Sequence, residues 1–232
     1  MELISFIIPV YNEQKTLQQA IEQIVNLKYR EKEILIIDNN STDGSKDIIK
    51  KFSNLKNVKI LFKDKNLGYG DSIKKGFNMA NGEFIYIQYA DLEYDIKGLE
   101  LMFEKLNSNN YDFVFGERYS NLSIINLLKN IIKRPAYLAT YITTHLVNFF
   151  YKKKFNDIIG SKLYRTDKIR EIKIDCDGQG FDFELVSKIC KFDYKVGNIL
   201  IPYKPRANSN EKKIKFYHMF NAIYEILRVK II

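Results

Sequence analysis

The stretch "QYADLEYD" (residues 88–95) sets Tyr89, Asp91, Glu93 and Asp95 two residues apart, directly after the apolar run "EFIYI". Carboxylates leaving the end of a strand suit a hard divalent cation such as Mg²⁺ or Mn²⁺, which takes oxygen ligands. Yet the first member of the series is a phenol, and a neutral phenol cannot replace a carboxylate's charge. The stretch therefore reads in two ways: a cation site short of one ligand, or a loop that never held a metal. Two more polar clusters follow apolar runs in the same manner. "YNE" (11–13) follows "LISFIIPV", and "DNNSTDG" (38–44) follows "EILII".

Such clusters can act together only if the elements before them run side by side. "LISFIIPV", "EILIIDNN", "NVKILF" and "EFIYIQYA" are short, nearly continuous apolar runs, as expected of strands covered on both faces. Between them lie helical patterns: Leu17, Ile21, Ile24 and Val25 on one face, then "STDGSKDIIKKF", then "GYGDSIKKGFNMA". Strand–helix alternation implies a parallel sheet with right-handed crossovers. In such sheets a ligand binds beyond the carboxyl ends of the strands, where the three polar clusters would converge on one crevice.

The pattern changes after "YDFVFGERYS". Residues 124–151 are helical in character, with Pro135 opening a new helix, since proline is tolerated in a first turn. "GFDFELVSKICKF" reads as an amphipathic helix, "VGNILIPYKPR" as a strand with a basic exit, and "KIKFYHMFNAIYEILRVKII" as a closing helix. No linker and no internal repeat appears. One domain over residues 1–232 is expected, with halves at 1–116 and 117–232.

The formal net charge is +9, but residues 1–116 carry 15 Lys and Arg against 17 Asp and Glu, while residues 117–232 carry 22 against 11. A basic half suggests an anionic partner, or only a lysine-rich solvated surface. Two cysteines without CxxC spacing and two histidines argue for a reduced protein and against a zinc site. No signal peptide and no apolar run of the roughly 18 residues needed for a membrane span is seen. The glycines do not fit a P-loop, and no RNA-binding signature accompanies the basic charge.

In order along the chain, "FIIPVYNE", "IDNNSTDGS", "NLGYGDSIKKGFNMANGEFI", "QYADLEYD", "GERYS", "GSKLYR", "GFDFELVSKI" and "IPYKPR" resemble the family 2 glycosyltransferases. The likeness covers almost the whole chain. It runs closest to the branch of dolichyl-phosphate mannosyltransferase and bacterial polyprenyl-phosphate glycosyltransferases. It implies a GT-A fold: a Rossmann-like α/β architecture with a mostly parallel sheet flanked by helices, and amphipathic helices in the C-terminal half. The implied activity is inverting transfer of a sugar from a nucleotide-diphosphate donor to a polyprenyl phosphate. It would act at the inner membrane face, as a cytoplasmic peripheral protein with a membrane-protein partner or as a homo-oligomer, and without nucleic acid.

The resemblance also assigns residues. Pro9, Tyr11 and Glu13 would line the nucleoside pocket, with Asp38 bonding base or ribose and Asp43 nearby. Asp38 and Asp43 are equally apt as turn and helix-cap residues. Gly68 and Gly70 would let backbone approach the donor, or merely satisfy a loop needing positive φ. The family's metal loop usually reads Asp-Ala-Asp; here it is Tyr89-Ala90-Asp91. That implies a weakened or altered Mg²⁺ or Mn²⁺ site, held by Asp91 with Glu93. An alternative is a non-catalytic nucleotide-sugar-binding relative in which Tyr89 simply packs.

Cations serve the acceptor side. A polyprenyl phosphate is already ionised and needs positioning rather than a base. Arg118, Lys133 and Arg134 resemble the acceptor-phosphate ligands, and Arg206 resembles a cap on the donor diphosphate. Each could instead be an exposed surface cation. Asp182 is the candidate general base for a hydroxyl acceptor in glycan or glycolipid synthesis, alongside Glu184, unless the pair only caps a helix. The segment "SIINLLKNIIKRPAYLATYITTHLVNFFYKKK" suits a membrane interface; a packed hairpin or a homodimer contact would read the same.

Overall fold

The computed structural model describes residues 2–28, 31–119, 135–205 and 218–232. Its centre is a seven-stranded sheet in the order β3-β2-β1-β4-β6-β5-β7. The strands are β1 (Leu3–Val10), β2 (Glu31–Asp38), β3 (Val58–Phe62), β4 (Phe84–Ile87), β5 (Phe113–Glu117), β6 (Lys162–Arg165) and β7 (Val196–Leu200). β1 pairs in parallel with β2 and β4, β2 with β3, and β5 with β7. β6 alone runs antiparallel, inserted between β4 and β5. The α/β sheet is thus mostly parallel, as the sequence led one to expect.

The helices are α1 (Leu17–Val25), α2 (Ser45–Lys50), α3 (Tyr69–Met79), α4 (Gly98–Ser108), α5 (Pro135–Tyr151), α6 (Thr166–Arg170), α7 (Phe181–Lys191) and α8 (His218–Ile231). Strand alternation divides the core into two layers. Ile4, Phe6, Ile8 and Val10 of β1 point into a cluster with Leu17, Ile21 and Ile24 of α1 and with Leu99, Met102 and Phe103 of α4. Ile7, with Leu35 and Ile37 of β2, points the other way, onto Ile73 and Phe77 of α3 and Phe181, Leu185 and Ile189 of α7. Both faces of the sheet are covered, which is why its strands read as unbroken apolar runs.

β1 coincides with its apolar run, and β2 ends at Asp38 as expected. α5 begins at Pro135; the expected helical stretch before it, 124–134, lies outside the described residues. The sequence reading did not identify β5, β6, α4 or α6 as elements.

Candidate active site

Val10 and Asp38 are register partners at the carboxyl ends of β1 and β2. The loops that follow are stitched together. Asn12 Oδ1 accepts the Thr42 N–H at 2.8 Å, and the Asn12 N–H donates to Ser41 Oγ at 3.0 Å. Asp43 accepts the Gln14 N–H at 3.0 Å on one oxygen and the Ser45 N–H at 2.9 Å on the other. Of the two roles open to Asp43, the turn-and-cap role is the one on display. Asp38 is wholly buried and accepts the Ser41 N–H at 3.1 Å, which fixes it in the crevice floor. Asn12 and Asn40 hold left-handed φ values of 52° and 60°, a conformation asparagine tolerates. Tyr11 projects 37% exposed at the rim, with Pro9 and Glu13 half-buried beside it.

Gly68 and Gly70 serve a different close approach from the one expected. Gly68 has φ 105°, and a Cβ on it would stand 2.4 Å from the Asp177 carbonyl oxygen. A Cβ on Gly70 would stand 2.6 Å from the Cys176 carbonyl oxygen. The Asp177 carbonyl also accepts the Asp71 N–H in the first turn of α3. The glycines make room for the chain's own segment 176–178.

In the metal-loop stretch, the Tyr89 hydroxyl lies 3.1 Å from that of Tyr69, and the two rings stack at 6.2 Å with an interplanar angle of 13°. Burial, then the Asp182 carboxylate, pushes both phenols well above their ordinary range, so they stay neutral. Leu92 has φ 59°, a strained value for a branched side chain, and it separates the two acids. Asp91 Oδ1 accepts the Glu93 N–H at 3.1 Å. Glu93 Oε2 accepts the Tyr203 hydroxyl at 2.9 Å. Glu93 also lines a groove of about 450 Å³ with Gln19 and Gln23 of α1 and with Lys204. Among the described residues no three His, Cys, Asp or Glu side chains gather to hold a metal. Mg²⁺ often takes one or two carboxylates, completing its shell with substrate phosphates and water. Asp91 fits that minimal role, and Glu93 is engaged by Tyr203.

Two buried ion pairs lie around β5 and β6. Arg118, just past β5, meets Asp157 in a fork: Nε to Oδ2 at 2.6 Å and Nη2 to Oδ1 at 3.0 Å. Its own backbone N–H and that of Ile159 donate to the same carboxylate. Burial opposes both charges, and each partner's charge overcomes that, so Arg118 is held above and Asp157 below its ordinary range. The second pair joins Lys162, 1% exposed on β6, to Asp182 in the first turn of α7, Nζ to Oδ1 at 2.9 Å. Burial and then Asp182 also push the Tyr164 hydroxyl upward, so Tyr69, Tyr89 and Tyr164 all lie within electrostatic reach of this carboxylate.

Glu184 is fully buried and accepts the amides of Asp175 and Cys176 and the cations of Lys188 and Arg228. That fixes α7 against α8 and removes Glu184 as a candidate base. Arg118, expected to meet an acceptor phosphate, pairs with Asp157 through Nε and Nη2. Lys133, Arg134 and Arg206 lie outside the described residues. Lys162 and Asp157 were missed by sequence reasoning. A lysine opening an otherwise apolar strand in "SKLYR" was the available signal, because a buried ammonium demands a partner.

A family model described as "Glycosyl transferase family 2" matches residues 5–173. A cholesterol galactosyltransferase of Borreliella burgdorferi is 27% identical over 228 residues, 93% of this chain and 63% of the relative. A poly-beta-1,6-N-acetyl-D-glucosamine synthase of Staphylococcus epidermidis is 30% identical over 220 residues, 89% of this chain and 49% of the relative. The chain thus spans about half to two-thirds of the length of these relatives. Among solved structures, a glucosyl-3-phosphoglycerate synthase from Mycobacterium tuberculosis, in complex with Mn²⁺, UDP and glucosyl-3-phosphoglycerate, aligns with a TM-score of 0.69. That alignment is at 14% identity and covers all of this chain and 81% of that one. S. aureus TarS 1–349 with UDP-GlcNAc aligns with a TM-score of 0.61 at 18% identity, covering 98% of this chain and 67% of that one.

Proposed function

The chain belongs to glycosyl transferase family 2, and from that membership we propose that it moves a sugar, with inversion, from a nucleoside-diphosphate donor to an acceptor hydroxyl. The observation that carries the hydroxyl reading is Asp182: a partly exposed carboxylate in the first turn of α7, with one hydrogen bond from Lys162. In this mechanism the acceptor oxygen attacks the anomeric carbon as the bond to the donor diphosphate breaks, and Asp182 takes the acceptor's proton. Tyr11, Pro9 and Glu13 border the nucleoside, and Asp38 bonds its base or ribose from the floor. Asp91 would hold a Mg²⁺ or Mn²⁺ ion, which would supply positive charge to the leaving diphosphate. The cholesterol galactosyltransferase among the relatives lends support, since cholesterol offers a hydroxyl and no phosphate.

A polyprenyl-phosphate acceptor remains the second reading, favoured by the cationic surplus of residues 117–232. It relies on Lys133, Arg134 and Arg206, because Arg118 has its charge matched by Asp157. The two readings part at one substitution. With a hydroxyl acceptor, Asp182→Asn lowers kcat by about 10²- to 10⁴-fold. With a phosphate acceptor, the same variant turns over at close to the wild-type rate.

Membrane contact is part of the proposal. Among the described residues no helix is long and apolar enough to cross a membrane. On α8, however, Phe220, Tyr224, Leu227 and Ile231 recur at helical spacing and stand 38–83% exposed, opposite the buried Ala222, Ile226 and Val229. Phe149 of α5 is exposed, Lys230 Nζ of α8 reaches the neighbouring Phe150 carbonyl, and the exposed Lys152 and Lys154 follow shortly along the chain. An apolar row edged by lysines suits an anionic lipid surface. The protein should float with phosphatidylglycerol vesicles, and a Phe220→Asp, Tyr224→Asp variant should not. Equal flotation of both would sink the idea; self-association that the variant abolishes would assign the row to a second copy instead.

A further inference from the structure

We infer that Lys162 is a positioning residue for the transfer reaction, holding the Asp182 carboxylate in one orientation. The inference rests on Asp182 being the base.

The placement of Lys162 is unusual. It opens β6, the single antiparallel strand, opposite Phe115 of β5, and its ammonium lies 5.9 Å from the Phe115 ring centroid. Its side chain is 1% exposed. Apart from Asp182, its ammonium donates to the Gly160 carbonyl at 3.1 Å. A buried ammonium is costly unless paired and hydrogen-bonded, so the cation is committed to these two acceptors.

A purely structural pair saturates its carboxylate, as Asp157 does with four N–H bonds. Asp182 is different. Its bonded partner is Lys162 from β6, and the phenols within its electrostatic reach are Tyr164 from β6, Tyr69 from α3 and Tyr89 from the segment after β4. On its own helix, Glu184 turns away to the Asp175 and Cys176 amides. The Tyr164 hydroxyl is fully buried and has no hydrogen-bond partner, and Tyr69 and Tyr89 bond each other. Asp182 thus keeps acceptor capacity toward a hydroxyl group entering the crevice.

A base whose side chain can rotate loses its aim. A lysine at 2.9 Å counters that: by holding Oδ1 it presents Oδ2 to the acceptor. Lys162 touches no reacting atom in this scheme; it acts through Asp182.

The test follows kcat and KM for UDP release from UDP-galactose and UDP-N-acetylglucosamine, with water as the acceptor, in wild type, Lys162→Met and Lys162→Arg. Lys162→Met should lose at least about tenfold in kcat with the donor KM nearly unchanged, because only the aim of the base is disturbed. Lys162→Arg should restore most of that kcat. In an Asp182→Asn background, Lys162→Met should cost nothing further. Carbon-13 NMR of labelled aspartate carboxyls, with Asp182 assigned from its Asn variant, should show the Asp182 resonance displaced in Lys162→Met without turnover. It also serves if only Lys162→Gln folds. An unchanged kcat and an unmoved carboxyl resonance, with Asp182→Asn inactive, would overturn the inference while leaving the base intact. Full activity of Asp182→Asn would remove the base reading, and the role of Lys162 with it.

Discussion

The two ion pairs beside β5 and β6 look alike in outline and differ in what their carboxylates have left to give. Asp157 accepts the Nε, Nη2 and backbone N–H of Arg118 and the N–H of Ile159, and is fully buried. Asp182 accepts one bond, from Lys162, and its side chain is 13% exposed at the mouth of α7. A saturated carboxylate is a strut. A carboxylate with a spare oxygen facing a crevice can still take a proton. The same contrast applies to the cations. Arg118 spends its planar fork bidentately and lies 5.3 Å and 5.5 Å from the rings of Tyr119 and Tyr203, whereas Lys162 offers a point charge on one side.

The contrast is broken most directly by exchanging effects between the pairs. Asp182→Asn is expected to give the largest change of all, the 10²- to 10⁴-fold loss of turnover, and it also lowers the melting temperature because the buried Lys162 ammonium loses its counter-charge. Asp157→Asn should lower the melting temperature without that loss of turnover. Breaking one partner of a buried pair costs about 3–5 kcal/mol, which in a chain of this size lowers the melting temperature by roughly 6–20 °C. Donor binding by the molecules that remain folded should change little. If Asp157→Asn melts normally and loses turnover, the two pairs have been assigned the wrong way round.

A third carboxylate sharpens the rule from the opposite end of the sheet. Glu33 of β2 accepts Ser5 Oγ at 2.5 Å, Lys59 Nζ at 3.0 Å, Asn81 Nδ2 at 3.0 Å and the Gly82 N–H at 3.2 Å, with the Asn81 N–H close as well. Burial alone would raise its pKa, but these bonds outweigh burial and bring it down to about 2. The sign follows. The folded value lies below the unfolded one of about 4.3, so Glu33 stabilises the fold above that unfolded value. This contribution fades as pH falls toward 2. By linkage it is on the order of 3 kcal/mol. Urea midpoints taken from pH 6 to pH 2.5 should fall in wild type, and a Glu33→Gln variant should lose most of that slope. Equal slopes would mean that the acid sensitivity lies elsewhere.

What could be read along the chain and what could not divides on the same line. β1, the end of β2 at Asp38 and the start of α5 at Pro135 were legible, because apolar continuity and proline's fixed φ are local signals. The partners of charges were not. Arg118 and Asp157 are 39 positions apart, Lys162 and Asp182 are 20 apart, and β6 is four residues long between strands it opposes in direction. Gly68 and Gly70 show the limit best. Their need for space is visible in sequence, but the backbone that fills it comes from 176–178, more than a hundred residues later. Sequence order suggested which residues could do chemistry. Only the packing reveals which are already engaged.

The smallest effect tests the loop where that ambiguity was sharpest. The Tyr89 hydroxyl meets that of Tyr69, and its ring also lies 5.3 Å from Tyr94. Tyr89→Phe keeps the ring and removes one hydroxyl bond, worth about 1 kcal/mol, so a loss of a few degrees in melting temperature is expected. Tyr89→Asp removes the ring and puts a second acid two positions before Asp91. If Asp91 is the lone carboxylate for a cation, the added charge should lower the Mn²⁺ concentration at which UDP stabilises the fold, by about tenfold. Stabilisation by a ligand reads its affinity through mass action, so the shift is measurable without knowing the acceptor. Unchanged Mn²⁺ dependence in Tyr89→Asp, with EDTA harmless in both proteins, would mean that donor binding needs no cation here. The phenols would then be a packed wall of the crevice, closer in kind to the Arg118–Asp157 strut than to Asp182.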